Sequence, residues 1–332
     1  MIRIRPFGEA DLPVIQNISP DMAEELRNFP NVLLRTAVVA EEASGGRKGG
    51  ALKLLGAAYL TAAPSFLHPE FGDGRCFLRA NFQALPGTEQ EIEVSELLLR
   101  SLQKSLRKLQ EKDPSHRIIL QLFSDARKLA YTEFLMDCGF FPRYLMQAME
   151  RELEGPFEGF PLQGSLDFGE SLQASGKLSS DRTDEAALSL TLHTDPDEHA
   201  YFEKHSAAFS EAFGGMPEST EELSYQMRHG AKVWAVMDGE KLAAAVTAIP
   251  ADSETVMTEK VFCRKEYRRR GITEAMLRTV LRNLRDEGYK KARLTLFSDN
   301  LPAWNLYRKL GYELSENIIE FHYEVNPVLR GY

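Results

Sequence analysis

The sequence predicts an α/β fold that occurs in two similar halves, and three observations lead to this prediction. The chain has 332 residues, which is long for one domain and usual for two. The tetrapeptide LFSD occurs at 122–125 and again at 296–299, and Gly followed by an aromatic residue comes after each copy, at 139–140 and 311–312. Strand-like and helix-like segments alternate in the same order in both halves. A repeat of this kind indicates one structural unit that occurs twice.

The first half has the expected pattern of strands and helices. Residues 1–5 alternate Ile and Arg as a half-buried strand does, and Asp11 is placed to help start a helix. A second helix is predicted at 95–110, where the leucines at 99, 102, 106 and 109 lie on one face. Further strands are predicted at 34–41, 53–61 and 118–123, with the loop SGGRKGG between the first two, and a helix at 126–138 that ends before Gly139.

The second half repeats this order of elements. Asp238-Gly239 is a strong hairpin signal between two apolar segments. The alternation in IIEFHYEV predicts a closing strand at 318–325. The other predicted strands are 186–192, 233–237, 242–249, 255–263 and 292–297, and the predicted helices are 198–213, the apolar stripe from Leu277 to Leu284, and 301–310 before Gly311.

These segments divide the chain into two predicted domains, residues 1–153 and 182–332. The segment between them, 154–181, is rich in Gly, Ser and Pro, which is typical of a linker. Its Phe residues are candidates for pinning the linker to a surface.

Composition excludes several classes of protein. Hydrophobic residues make up 43% and charged residues 27%, with no apolar run long enough for a membrane span, and the basic-then-acidic N-terminus is unlike a signal peptide. The three cysteines, Cys76, Cys138 and Cys263, are far apart, and no Cys or His cluster has metal-ligand spacing. The net charge of −9 disfavours nucleic acid as a partner. We therefore expect a cytoplasmic protein without a metal ion.

The loop Tyr267-Arg-Arg-Arg-Gly-Ile-Thr273 is the main candidate for a binding site. It lies between a predicted strand and a predicted helix, and residues 264–293 around it carry a net charge of +7. Free N–H groups at a helix start favour an anion such as phosphate, and Gly271 permits close approach of the backbone. The loop has neither the Walker A pattern nor the three glycines of a dinucleotide fingerprint. A solvated basic helix face is the alternative interpretation.

The run VFCRKEYRRRGITEAML, followed by ARLTLFSDNLPAWNLYRKLGY, resembles the GNAT superfamily of N-acetyltransferases. The family's phosphate loop, R/Q-x-x-G-x-G/A, matches 268–273, although Thr273 replaces the usual small last residue. A second family block matches Asn300, Ala303, Leu306-Tyr307 and 309–312. The resemblance covers about 185–325. It implies two domains of this fold, each with a central mixed, mostly antiparallel sheet flanked by helices.

The resemblance also implies acetyl-coenzyme A (acetyl-CoA) as the co-substrate. Its pyrophosphate would lie on the backbone amides of 269–274, and its pantetheine arm would pair with strand 261–263. A backbone N–H of this strand would polarise the thioester carbonyl. Tyr307 would protonate the departing thiolate. The implied cofactor-binding residues are Val261, Phe262, Cys263, Arg268, Arg269, Arg270, Gly271, Ile272, Thr273, Glu274 and Asn300.

Glu259 is the candidate general base, because some members of the family carry a catalytic Glu in this strand. Simple alternation places Glu259 on the same face of the strand as Val261 and Cys263. A chain of water molecules is the alternative proton acceptor. A solvated or ion-paired role for Glu259 also stays open, as does a role of Tyr307 as a core aromatic residue.

The first half lacks the residues that the resemblance assigns to cofactor binding. Alignment of the helices sets Glu91 against Arg269 and Glu93 against Gly271, and carboxylates there would repel a pyrophosphate. Alignment of the Gly-aromatic pairs sets Leu135 against Tyr307, and Ala126 stands at the position of Asn300. We therefore expect a degenerate first copy that walls the substrate site or takes the place of a second subunit.

Together these expectations describe a cytoplasmic N-acetyltransferase that moves an acetyl group to a primary amine. The amine, in a small molecule or a peptide, would attack the thioester directly in a ternary complex, since no His neighbours Cys263 to support a covalent intermediate. Neither nucleic acid nor a membrane is expected as a partner, whereas pairing of the two domains and a homodimer are. The alternatives are a non-catalytic module that binds coenzyme A or acts as a scaffold, and a transferase of another acyl group.

Overall fold

The computed structural model describes residues 2–42, 53–62, 75–154, 188–213 and 219–325. The predicted loop SGGRKGG and nearly all of the predicted linker lie outside these ranges. The chain divides into two compact units, one of residues 1–144 with 319–332 and the other of residues 145–318. Each unit thus includes part of the last strand of the other half of the chain, since the division falls within β6 and within β12. The predicted boundary at 153 lies inside the second unit, and the end of the predicted second domain lies in the first.

The first unit is built on a mixed sheet. Its strands run in the order β1-β2-β3-β4-β5, followed by the end of β12. Strands β1 to β4 pair antiparallel with one another, and β4 and β5 are parallel over five residues each. The elements are β1 (Ile2–Pro6), α1 (Leu12–Ile18), α2 (Pro20–Asn28), β2 (Val38–Glu42), β3 (Lys53–Ala62), β4 (Arg75–Ala84), α3 (Glu91–Lys112), β5 (Arg117–Asp125), α4 (Leu129–Asp137) and, from the other end of the chain, β12 (Glu313–Glu324).

The second unit has a sheet of the same kind, in the order β6-β11-β10-β9-β8-β7. Its strands are also antiparallel, apart from the parallel pair β10 and β11. The elements are β6 (Phe141–Glu152), β7 (Leu188–His193), α5 (His199–Phe213), α6 (Thr220–Arg228), β8 (Lys232–Asp238), β9 (Lys241–Pro250), β10 (Thr255–Cys263), α7 (Ile272–Asp286), β11 (Lys291–Phe297) and α8 (Leu301–Lys309).

The same order of elements in both halves confirms the internal repeat. Each half runs strand, two helices, three strands, helix, strand, helix and strand within the described residues, and each parallel pair is formed by the strands before and after the long helix. The two LFSD segments lie at the ends of the equivalent strands β5 and β11. Gly139 and Gly311 both have positive φ, at 85° and 82°, after the equivalent helices α4 and α8, as the helix-stop prediction requires.

Some local predictions differ from the structure. Helix α3 begins at Glu91 rather than at 95, and β12 begins at Glu313 rather than at 318. Strand β2 begins at Val38 rather than at 34, because the Thr36 hydroxyl donates to the Leu33 carbonyl (2.7 Å) and accepts from the Leu60 N–H (3.0 Å), which holds residues 34–36 in a turn. Sequence analysis missed β4, whose Arg79 and Asn81 interrupt its apolar pattern, and it missed the predominantly polar helix α6.

The sheet of the second unit is covered on both faces. The predicted stripe of α7, from Leu277 to Leu284, is buried against one face, together with Val246 of β9 and Val256 of β10. On the other face, Phe209 of α5 lies edge-on to Phe262 of β10, with ring centroids 5.7 Å apart. Strand β10 is therefore central, and its residues project into two differently built layers.

Candidate functional site

Among the described residues, strand β10 has no neighbouring strand on one of its edges over its second half. Its parallel pairing with β11 covers only Thr255–Met257, opposite residues 291–293, although β10 continues to Cys263. On its other side β10 stays paired with β9 as far as Cys263, opposite Ala244. The backbone from 261 to 263 therefore has one edge where an extended group could add hydrogen bonds as a further strand does.

A β-bulge interrupts β10 immediately after Glu259. Glu259 lies opposite Thr247 of β9, and Phe262 lies opposite Ala245, so three steps along β10 match two steps along β9. Lys260 within the bulge has φ of 53°, a left-handed conformation that is uncommon for a residue with a side chain. The bulge therefore reverses the alternation of faces along the strand.

The predicted placement of Glu259 on the same face as Val261 and Cys263 is wrong for this reason. Val261 and Cys263 pack against the core under α7. The partners of Glu259 and Phe262 on β9 are residues 247 and 245, which are two residues apart and so lie on the same face of the sheet. Glu259 and Phe262 therefore lie on that face too, which is the one covered by α5. One additional residue in the strand puts Glu259 and Phe262 on one face and Val261 and Cys263 on the other.

The loop before α7 presents unpaired backbone N–H groups. Gly271 is the N-cap of α7 with φ of 76°, and Arg269 also has positive φ, at 63°. The first helical hydrogen bond runs from the Ala275 N–H to the Gly271 carbonyl at 3.0 Å. No acceptor is found among the described residues for the N–H groups of 269–274, and a Cβ added at Gly271 would meet no atom within 4 Å. The loop thus presents N–H donors at the start of α7 that are open to an incoming group.

The three arginines of the loop differ in what they contact. Arg268 donates to the carbonyls of Cys263 (2.9 Å) and Ala212 (3.0 Å), so its guanidinium ties the loop to β10 and to α5. The Arg270 guanidinium lies over the Tyr267 ring, 5.6 Å from its centroid. Arg268 therefore shapes the loop with its side chain rather than offering a free fork to an anion.

The remaining predicted residues of the loop point into the protein. Ile272 is buried in the core. The Thr273 hydroxyl is hydrogen-bonded to the Cys263 thiol, whose pKa is raised chiefly by burial. Glu274 accepts from Lys309 at 2.7 Å and from Arg278 at 3.0 Å, and these bonds outweigh its burial and lower the pKa of its carboxyl.

Tyr307 and Asn300 lie on α8, beside the same core. Tyr307 is 8% exposed, packs in the cluster under α7, and its hydroxyl has no hydrogen-bond partner within the described residues. Burial raises the pKa of its phenol well above the ordinary value. The Asn300 Oδ1 accepts from the Ala303 N–H at 3.3 Å as the N-cap of α8. The structure thus brings the ends of β10 and α8 and the start of α7 to one apolar cluster.

Comparison with known proteins decides the family. Residues 197–312 match the model of the acetyltransferase (GNAT) family. They belong to that family. The human (Homo sapiens) proteins N-acetyltransferase 8 and N-acetyltransferase 8B are 34% and 33% identical to this chain over 95 residues. Those residues are 27% of this chain and 42% of each human protein, so the chain spans less than half the length of these relatives.

Two solved structures extend the likeness beyond the GNAT family match to nearly the whole chain. A tandem GNAT protein from the clavulanic acid biosynthesis pathway has a TM-score of 0.60 at 15% identity and covers 98% of this chain and 99% of its own. A GCN5-related N-acetyltransferase from Sphaerobacter thermophilus has a TM-score of 0.57 at 16% identity, with 98% and 96% covered. At these identities the likeness is one of fold, and that fold is a tandem GNAT fold.

The first unit differs from the GNAT domain of the second at the equivalent loop and strand. The Glu91 carboxylate accepts the Gly87 N–H at 2.8 Å, in the turn before α3, and Glu91 and Glu93 place two carboxylates in the first turn of that helix. Strand β4 pairs with β3 in continuous register from Leu78 to Ala84, without the bulge that β10 has. The bulge that interrupts β10 of the GNAT domain is thus not present in this described part of the first unit.

Sequence analysis missed a buried polar group beside the bulge of the GNAT domain. The Lys260 ammonium donates to Gln226 Oε1 at 2.9 Å and lies 3.9 Å from Glu222 Oε1. The side chain of Lys260 is 4% exposed and that of Glu222 is 8% exposed. Helix α6 supplies both partners. No sequence signal pointed to this group, because α6 was not predicted and the bulge leaves the alternation of buried and half-buried residues in β10 intact.

Neither a cluster of metal-ligating side chains nor a membrane-spanning helix is found in the part of the chain that the structure describes. There, no three His, Cys, Asp or Glu side chains are grouped as a metal site would require. Across the same residues, none of the helices combines the length and the apolar character that a membrane span needs.

The N-cap of α8 gives a first testable prediction. Asn300→Ala removes the acceptor of the Ala303 N–H, and we expect the free energy of unfolding to fall by about 1 kcal/mol. Asn300→Ser keeps an acceptor at the N-cap and should retain most of that stability. Thermal or urea unfolding of the two variants measures the difference. An alanine variant as stable as the wild type would mean that the cap contributes nothing.

Proposed function

We propose that this protein is an N-acetyltransferase that moves an acetyl group from acetyl-CoA to a primary amine by direct attack. One observation carries the proposal: the free N–H groups of 269–274 lie at the start of α7, which follows the free edge of β10 at 261–263. A loop of donors can hold a pyrophosphate, and a free strand edge can hold an extended amide-bearing arm. The two together match the two chemical parts of coenzyme A.

The residues of the loop fit a pyrophosphate group. Gly271 has open space where a Cβ would be, so the backbone can be approached closely. Residues 264–293 are net basic in a chain whose overall charge is −9, and this concentrates positive potential near the loop. Thr273, which departs from the family pattern, directs its hydroxyl to the Cys263 thiol. The hydroxyl therefore does not occupy the backbone N–H groups of the loop.

The residues of β10 and α8 supply the groups that acyl transfer requires. Backbone N–H groups at 261–263 would hold the arm and polarise the thioester carbonyl. The Tyr307 phenol, kept neutral by burial, holds a proton for the departing thiolate. Glu259 is the proposed acceptor of the proton that the amine loses.

Direct transfer is favoured over a covalent enzyme intermediate by the state of Cys263. Burial raises the pKa of its thiol, which disfavours the thiolate that a nucleophile requires. The only hydrogen bonds of its Sγ among the described residues are with the Arg264 carbonyl and the Thr273 hydroxyl, neither of which is a base. The state of Cys263 thus supports direct attack of the amine on the acetyl group, in a ternary complex.

Calorimetry with acetyl-CoA, followed by a screen of amine acceptors, tests the proposed function. We expect one equivalent to bind, because Glu91 and Glu93 in the first turn of α3 would repel a pyrophosphate, and affinity should fall as salt is added. Transfer to an amine is then read from released thiol. Binding of two equivalents would give the first unit a cofactor site, and no binding would overturn the proposal.

The same assay separates the two alternatives. A coenzyme A-binding scaffold would bind acetyl-CoA without releasing thiol with any amine. A transferase of another acyl group would turn over propionyl- or succinyl-CoA faster than acetyl-CoA. We expect acetyl-CoA to be the best of the three donors.

A further inference from the structure

Thr247 of β9 carries a buried hydroxyl without a partner. The residue is fully buried, with 0% of its surface exposed, and its Oγ1 forms no hydrogen bond. Its cross-strand neighbours on the same face are Val233 of β8, which is apolar, and Glu259 of β10. Among these register partners, only Glu259 offers an atom that could accept the hydroxyl proton.

A valine would suit this position better if stability alone mattered. An unmade hydrogen bond at a buried hydroxyl destabilises a fold, and valine has the same branched shape without the hydroxyl. Buried polar groups of native proteins are nearly always paired, so an unpaired one needs an explanation. A hydrogen-bond partner that is in place only when the site is occupied would explain the unpaired Thr247 hydroxyl.

Glu259 is the candidate for that partner. Within the described residues its carboxylate forms no hydrogen bond or ion pair. Residues that lie directly opposite on antiparallel strands have Cβ atoms about 4.5–5.5 Å apart, which lets a Thr hydroxyl reach a carboxylate. The ammonium of the neighbouring Lys260 donates to Gln226 Oε1 of α6 at 2.9 Å. Thr247 is therefore the available donor for orienting Glu259.

We propose that Thr247 is a positioning residue for Glu259. When the acceptor amine is bound, the Thr247 hydroxyl donates a hydrogen bond to the Glu259 carboxylate and directs its other oxygen to the amine. A carboxylate held in one orientation is a better base than one that samples several rotamers. This inference rests on the proposed function, and in particular on Glu259 as the proton acceptor.

Two variants of Thr247 test the proposal in steady-state acetyl transfer. We expect Thr247→Val to lower kcat about tenfold, while the KM for acetyl-CoA stays unchanged and the thermal stability does not fall. Thr247→Ser restores a hydroxyl and should recover most of kcat. A valine variant with the kcat of the wild type, or a serine variant as impaired as valine, would overturn the proposal.

A double-mutant cycle tests whether Thr247 acts through Glu259. If it does, Thr247→Val should change nothing once Glu259→Gln has removed the base, so the double variant has the kcat of Glu259→Gln alone. Additive losses would mean that Thr247 acts by another route, and the inference would be wrong. A wild type that neither binds acetyl-CoA nor turns over would overturn the proposed function as well. An active wild type with additive variants overturns only the role of Thr247.

Discussion

Gly271→Glu should abolish measurable acetyl-CoA binding while leaving the protein folded. The change places a carboxylate in the open space at the N-terminus of α7, where the free N–H groups of 269–274 would hold the pyrophosphate. Two like charges about 4 Å apart repel by about 4 kcal/mol at the effective dielectric constant of a protein surface. We therefore expect the Kd, measured by calorimetry, to rise at least about 100-fold.

Gly288→Glu is the matched control for this substitution. Gly288 follows the other end of α7, also has positive φ (101°), and also has no atom within 4 Å of an added Cβ. Both variants carry the same strain of about 1–2 kcal/mol from a side chain in a left-handed conformation, and both add one negative charge. Only Gly271→Glu should lose binding. Equal affinity in the two variants would place the cofactor elsewhere.

Tyr307→Phe should lower kcat about 100-fold with little change in acetyl-CoA affinity. The phenol is the proposed proton donor to the thiolate, and loss of a general acid typically costs 10²–10⁴-fold. Because burial raises its pKa, Tyr307 stays protonated through neutral and mildly alkaline pH, so its ionisation should not cause an alkaline loss of activity there. Stability should not fall, since the hydroxyl has no partner within the described residues. Kinetics and thermal unfolding of the same preparation test both statements.

Tyr312→Phe provides the control with the opposite pattern. The two tyrosine rings are 5.7 Å apart and both are buried, but the Tyr312 hydroxyl is hydrogen-bonded to Thr258 Oγ1 at 2.9 Å. Its removal should cost about 1 kcal/mol of stability and leave kcat unchanged. If Tyr307→Phe instead lost stability and kept its kcat, Tyr307 would be a core residue without a role in proton transfer.

Sequence patterns predicted those elements whose own residues carry a clear period or a clear stop. Strand β10 was predicted with the bounds that the structure has, 255–263, and α5 was predicted to within one residue. The loop around Gly271 was predicted as an anion site because a helix start has free N–H groups, a glycine permits close approach of the backbone, and the neighbouring residues are basic. Helix α6 escaped prediction because its buried face is short and partly polar, with Glu222 and Ser224 buried in it.

The tertiary structure alone decided which side chains meet. A bulge adds one residue to β10 relative to β9, and no local pattern in TVMTEKVFC records the register with another strand. That register, and not the alternation within β10, placed Glu259 opposite Thr247 and away from Val261 and Cys263. The sequence by itself determined the repeat, the strand and the loop, since these depend on residues close together in the chain. The pairing of strands depends on residues far apart, so only the folded chain could fix the geometry of the candidate site.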